Sequence, residues 1–149
     1  MARLRLSVFI AAPIEDVYQY ITDYGKDGPV SDEAFKAQYG TVIERDGHSF
    51  VVEEDVRRYP EDEPDIVTWR CAFTYPTERT MEAVDSLWSD RADSLRSANG
   101  GTQWTVRWRT KIGGVQGIVQ YLFFRLFSHR RMKRDMLISV KEHFEGGAQ

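Results

Sequence analysis

Apolar and polar residues alternate along several short segments of the chain, which predicts β-strands. The first such segment, residues 3–11, places leucine, valine and isoleucine on one face and arginine and serine on the other. In residues 65–75 an aromatic or apolar side chain stands at every second position. The same kind of pattern predicts further strands at residues 41–45, 48–58, 78–87, 91–97 and 102–112.

Three other segments carry helical spacing. Residues 13–24 have apolar side chains on one helical face, Pro13 in the first turn and acidic residues directly after it, where the helix dipole favours them. Asp32 and Glu33 favour a second, short helix over residues 31–38. Residues 115–145 predict one long helix of about 46 Å at 1.5 Å per residue.

The order of these elements indicates the fold class. Asp46-Gly47 and Asn99-Gly100 are hairpin turn signals, so neighbouring strands are expected to pair antiparallel. Strands and helices do not alternate as they do in parallel sheets. We therefore expect an α+β fold in which one curved antiparallel sheet wraps around the long C-terminal helix, forming a single domain over residues 1–149. A long helix lying in a curved sheet is expected to leave a cavity.

Composition and charge narrow the function classes. The chain has 149 residues, 42% of them hydrophobic, and a net charge of −3, which argues against a protein that coats nucleic acid. The single cysteine, Cys71, allows no internal disulfide and no cysteine-based zinc site. No signal peptide or membrane-spanning stretch is visible, so we expect a cytoplasmic protein.

Motifs for cofactor or metal chemistry are missing from the sequence. It holds no HExxH, no GxSxG, no P-loop and no GxGxxG. We therefore expect neither a cofactor nor a metal ion.

One stretch resembles a known family. Residues 10–23, IAAPIEDVYQYITD, give a strand end, a small-residue and proline step, an acidic residue and an aromatic helix ending in aspartate. With the Gly100–Thr102 step before a tryptophan-rich strand and the closing helix ending at Leu137–Glu145, the chain resembles the START-like helix-grip superfamily (SRPBCC), which includes polyketide cyclases and lipid-transport proteins. Residues between Asp23 and Tyr39 depart from the family pattern. The resemblance implies a cavity for a hydrophobic ligand between sheet and long helix.

The candidate ligand-binding residues follow from the inner faces of the predicted strands and from one helix stripe. On the helix, positions 122, 126, 129, 133, 136 and 140 recur at spacings of three and four, which predicts that they face the sheet. Core packing is the competing interpretation for the tryptophans, and an inert buried thiol for the cysteine. The candidates are Trp69, Cys71, Phe73, Tyr75, Trp104, Trp108, Leu122, Leu126 and His129.

Two functions remain open. The first is binding or transport of a hydrophobic small molecule such as a lipid or polyketide. The alternative is a cyclase or aromatase that uses polar cavity residues as acid and base, for which the candidates are His129, Tyr75, Glu54 and Asp85. Arg79 is expected on the same face and could pair with one of the two carboxylates.

The charge distribution suggests one further partner. Residues 115–149 carry a net charge of +3, whereas the rest of the chain carries −6. The apolar segment 121–127 precedes a basic run, residues 129–134, which favours contact with a membrane surface or a protein partner. The alternative is that the segment packs against the short helices and the basic run is solvated.

Overall fold

The computed structural model describes residues 3–22, 41–46, 49–55, 61–84 and 90–146. Seven strands are found in these ranges: β1 (Arg3–Ile10), β2 (Thr41–Asp46), β3 (Ser49–Asp55), β4 (Ile66–Thr74), β5 (Glu78–Ala83), β6 (Asp90–Ala98) and β7 (Gly101–Arg109). Helix α1 (Ile14–Thr22) follows β1. The predicted short helix at 31–38 and residue Asp85 lie outside the described residues.

The described strands form one antiparallel sheet in the order β1-β7-β6-β5-β4-β3-β2. Each strand from β2 to β6 pairs with the next one along the chain, and β1 forms one edge of the sheet by pairing with β7. Between β6 and β7, Asn99 and Gly100 have positive φ angles of 49° and 78°, which is the backbone of a type I′ hairpin turn. The α+β fold predicted from the alternation and turn signals is confirmed.

The long C-terminal helix is also confirmed, and it runs without interruption from residue 114 to 146. Its α-helical parts are α2 (Gly114–Phe123), α3 (His129–Met132) and α4 (Ser139–Gly146). Two π-helical segments, Phe124–Ser128 and Lys133–Ile138, connect them. A π segment bonds each N–H to the carbonyl five residues back, so it changes the phase of the helix faces that follow.

The C-terminal half of this helix closes the core. Leu137 and Val140 are buried and pack with the inward residues of β1 and with α1. Polar contacts hold the same half in place, because Lys141 Nζ donates to Phe9 O at 2.7 Å and Ala11 N donates to Glu145 Oε1 at 2.9 Å. The hydrogen bonds from Lys141 and from the Ala11 amide lower the pKa of Glu145.

The N-terminal half of the helix is positioned by Gly117. A Cβ at this residue would lie 2.2 Å from the carbonyl oxygen of Ile112, so only glycine allows the helix to approach the preceding loop this closely. Gly117 is the buried residue of α2, so the side of α2 that carries it faces the protein interior. Tyr121 and Phe124, one turn and two turns further along, are the half-buried residues of that side.

Candidate functional site

A buried charged pair lies on the concave face of the sheet. Arg79 on β5 and Asp93 on β6 stand directly opposite each other and are only 2% and 1% exposed. Arg79 Nε and Nη2 both lie 2.9 Å from Asp93 Oδ2. Arg79 Nη1 also donates to the carbonyl oxygen of Ile21 at the end of α1, so this pair joins the sheet to the first helix.

The second oxygen of Asp93 is occupied as well. Arg91 Nη2 donates to Asp93 Oδ1 at 2.9 Å, and the indole Nε1 of Trp104 donates to the same oxygen at 3.0 Å. The carboxylate is therefore held by three side chains from β5, β6 and β7. Bonding of both oxygens to charged and polar donors is the condition under which a buried carboxylate is tolerated.

The protonation state of Asp93 follows from this arrangement. Burial pushes the pKa of the carboxyl upward, but the charges and hydrogen bonds of Arg79 and Arg91 outweigh burial and lower the pKa below its ordinary value. Asp93 is therefore ionised at neutral pH. A carboxylate held in this way orients its neighbours and is poorly suited to donate or accept a proton in a reaction.

Aromatic and apolar side chains that are only half-buried lie beside this network. The rings of Trp108 on β7 and Phe124 on the C-terminal helix are 6.5 Å apart between centroids. Arg91 Cζ lies 5.7 Å from the centroid of Trp108, within the range of a cation–π contact. Other half-buried members of the same cluster are Phe73, Tyr121, Met132 and Met136.

A second buried cluster surrounds Trp69 and Cys71 on β4. Its other members are Val67, Met81 and Ala83, and Phe73 packs against both clusters. Cys71 is fully buried, as the interpretation of an inert thiol expects. Within the described residues, two buried nitrogens have no hydrogen-bond partner, Trp69 Nε1 and Arg91 Nε.

The candidate tryptophans and Phe73 thus occupy the concave face, but with different accessibility. Trp104 is completely buried, and its indole nitrogen is used by Asp93. Trp108 and Phe73 are half-buried and so keep ring surface for a ligand. Whether any of these residues binds a ligand stays a prediction.

Tyr75 does not continue the face of β4 as predicted. The strand ends at Thr74, and Tyr75 begins a turn in which its side chain is 66% exposed. There it makes an edge contact with Tyr18, with ring centroids 5.5 Å apart. The alternating pattern predicts a strand through Tyr75, which is one residue beyond the end of β4.

The predicted sheet-facing helix stripe is wrong at three of its six positions. Leu122 is 48% and Leu126 is 72% exposed, and Lys133 is also exposed. Only Val140 at the far end is buried, whereas His129 and Met136 are half-buried. In the first half, the buried Gly117 and the half-buried Tyr121 and Phe124 form the inward side of the helix, and the two π segments further along break a uniform spacing.

An apolar stripe therefore faces solvent along the first half of the helix. Its members recur at spacings of three, four and one, as one face of an α-helix does, and their exposed fractions run from 48% to 77%. We call these residues the exposed stripe: Val115, Ile118, Val119, Leu122, Phe123, Leu126 and Phe127.

The sequence reasoning missed Asp93 and Arg91. It assigned Arg79 a partner among Glu54 and Asp85, but Arg79 pairs with Asp93. The side chain of Glu54 and all of Asp85 lie outside the described part. A usable signal did exist, because counting back from the Asn99-Gly100 turn places Asp93 opposite Val106 and on the same face as Trp104.

Metal and membrane features can be stated for the described ranges alone. No three of their histidine, cysteine, aspartate or glutamate side chains are grouped closely enough to hold a metal ion. No helix within these ranges is long and apolar enough to cross a membrane.

Comparison with known proteins finds similar structures but no similar family model or curated sequence. No protein-family model and no curated protein sequence matches the chain. Among solved structures, the Zhui aromatase/cyclase from Streptomyces sp. R1128 superposes with a TM-score of 0.66 at 14% identity, over 99% of this chain and 96% of that one. The KanY protein gives a TM-score of 0.68 at 21% identity, over 97% and 99% of the two chains.

A third structure is longer than this chain. The di-domain ARO/CYC StfQ from the steffimycin biosynthetic pathway gives a TM-score of 0.70 at 12% identity, and the match covers 98% of this chain but 52% of that protein. At these identities the likeness concerns architecture alone. The chain has an SRPBCC-like helix-grip fold, the fold of the aromatase/cyclase structures.

Proposed function

We propose that the chain binds a flat, hydrophobic small molecule between the concave face of the sheet and the first half of the C-terminal helix. The observation that carries this proposal is the position of Trp108 and Phe124. These rings come from the sheet and from the helix, their centroids are 6.5 Å apart with the ring planes tilted by 51°, and both side chains are only half-buried. Aromatic walls with few polar groups are typical of small-molecule sites.

Polyketide-type compounds are the ligand class that we favour. Two of the structures with this fold are described as aromatase/cyclases, one of them from a steffimycin pathway. A fused-ring ligand suits the pair of aromatic walls, and the neighbouring Arg91 guanidinium would interact with polar substituents. The fold by itself hosts several functions, so the proposal depends on the site and not on the likeness alone.

Titration with 2-acetylnaphthalene, followed by tryptophan fluorescence or calorimetry, tests the proposal. We expect saturable binding, and a loss of affinity of about tenfold or more in Trp108→Ala because ring contact with the ligand is removed. Phe127→Ala is the matched control, since Phe127 is an aromatic residue of the same helix that is 70% exposed. Absence of binding to the folded wild-type protein, or equal losses in both variants, contradicts the proposal.

An enzyme acting on the same ligand class is the alternative function. Acid–base catalysis needs a group that can change its protonation state within hydrogen-bond reach of the substrate. Asp93 is held ionised by its arginines, and among the polar candidates whose side chains the structure describes, His129 on the C-terminal helix is half-buried and Tyr75 is exposed. Incubation with a linear β-polyketone probe separates the two functions by mass spectrometry: loss of water from the probe supports the enzyme, and recovery of intact probe supports the binder.

The exposed stripe favours a second, peripheral interaction, with an anionic lipid surface. Its apolar side chains lie on the same helix as Arg125, Arg130, Arg131, Lys133 and Arg134, all of which are exposed. Apolar insertion combined with basic residues is the pattern of helices that lie on membranes, and each basic residue near an anionic surface contributes about 1 kcal/mol.

Co-sedimentation with vesicles of phosphatidylserine and phosphatidylcholine tests this interaction. We expect binding at low salt, weaker binding at 1 M salt, and a large loss when residues 130, 131, 133 and 134 are replaced by glutamine. Arg96, Arg107 and Arg109 are exposed on the sheet, so replacing these three by glutamine gives the control. Wild-type protein that stays in the supernatant at low salt contradicts the proposal.

A further inference from the structure

The two unpartnered nitrogens on the concave face belong to neighbouring positions of the sheet. Trp69 on β4 stands opposite Ala83 on β5, and Arg91 on β6 stands opposite Met81, two residues earlier on the same strand. Side chains two residues apart on a strand point to the same face. Trp69 and Arg91 therefore lie on either side of Met81 and Ala83 of β5, and Ala83 has the smaller side chain.

Both donors are removed from solvent. Trp69 is 8% exposed and the side chain of Arg91 is 11% exposed, yet Trp69 Nε1 and Arg91 Nε meet no acceptor in the part of the chain that the structure describes. Buried indole N–H groups nearly always have a hydrogen-bond partner, because burial without one costs free energy. Two such donors around one small area are consequently unusual.

Arg91 is held so that its Nε cannot turn away easily. One end of the guanidinium is bonded to Asp93, and its Cζ lies 5.7 Å from the centroid of the Trp108 ring. Asp93 in turn is fixed by Arg79 and Trp104. The Arg79–Asp93–Arg91 network thereby holds the Nε of Arg91 in a defined position beside Trp108.

We infer that Trp69 and Arg91 recognise a carbonyl-type oxygen of the ligand, so that the site selects flat hydrophobic molecules that carry a ketone or a related acceptor. This inference rests on the proposed function and adds the chemical class of the ligand. An acceptor between the two donors gains hydrogen bonds in a buried place, where leaving a donor unpaired is costly. A hydrocarbon of the same shape gains none of this.

A matched pair of probes tests the selection. 2-Acetylnaphthalene and 2-isopropylnaphthalene have nearly the same shape, and only the first has an acceptor oxygen. In Trp69→Phe, which keeps a ring and loses the N–H, we expect affinity for the ketone to fall about tenfold and affinity for the hydrocarbon to change by less than about twofold. Arg91→Lys, which keeps the charge and loses Nε, is expected to act in the same direction, with Arg107→Gln on the outer face as control.

The possible outcomes distinguish a failure of this inference from a failure of the proposed function. If neither probe binds the wild-type protein, the proposed function fails. If both probes bind and Trp69→Phe weakens their binding equally, the proposed ligand site is supported. In that case the two donors do not recognise an oxygen, and the inference is overturned. If an ordered water satisfies both donors, the same equal response to the two probes is expected.

Discussion

Replacing Asp93 with asparagine is expected to lower the free energy of unfolding by about 3–5 kcal/mol, because it leaves Arg79 buried without a counter-charge. Asparagine keeps the size of the side chain, so the loss reports on charge and hydrogen bonding and not on a cavity. Urea denaturation at pH 7 measures it. Asp90→Asn is the matched control on the same strand: Asp90 forms salt bridges to the half-exposed Arg109 and to the partly exposed Lys111, for which a loss of about 1 kcal/mol is expected.

The same pair predicts a pH dependence. Because the pKa of Asp93 is lowered in the folded protein, its contribution to stability is complete above the unfolded value of 3.8 and is lost as pH falls through the lower folded value. The stability of the wild-type protein should therefore decrease more steeply below about pH 4 than that of Asp93→Asn. Equal acid slopes, or a loss at pH 7 no larger than that of Asp90→Asn, would show that the pair is not stabilising.

Two leucines of the C-terminal helix are expected to differ sharply on replacement by alanine. Leu137 is fully buried, so Leu137→Ala removes apolar contacts, leaves a cavity and should cost about 2–5 kcal/mol. Leu126 is 72% exposed, so Leu126→Ala should change the free energy of unfolding by less than about 0.5 kcal/mol. Chemical denaturation of both variants measures the difference.

This pair also tests how the helix is rotated. The spacing in the sequence predicts that Leu126 faces the sheet, in which case Leu126→Ala would be the costly change. A large loss in Leu126→Ala together with a small loss in Leu137→Ala would therefore contradict the helix orientation described above. The two substitutions are chemically identical, so only the environment of each leucine can produce a difference.

The sequence by itself determined the strand segments, the antiparallel pairing of successive strands from β2 to β7, and the first and last helices, whereas the pairing of β1 with β7 was decided by the tertiary structure. Alternation along β1 and β7 identified their buried faces, because successive side chains of a strand point to opposite sides of the sheet. Asn99-Gly100 identified the β6–β7 hairpin, because few residue pairs accept two positive φ angles. These are local constraints, and local constraints can be recognised from neighbouring residues.

Only the tertiary structure decided which side of the C-terminal helix faces the sheet. Residues 115–127 are apolar on more than one side, so periodicity alone could not select a face. In the structure Gly117 lies against the backbone of Ile112, Tyr121 and Phe124 pack inward on the same side, and the π segments change the phase further along. The Arg79–Asp93–Arg91 network was decided in the same way. Its members lie up to 14 residues apart, and they meet only because β5 and β6 pair in one register and bring opposite charges together in a buried place.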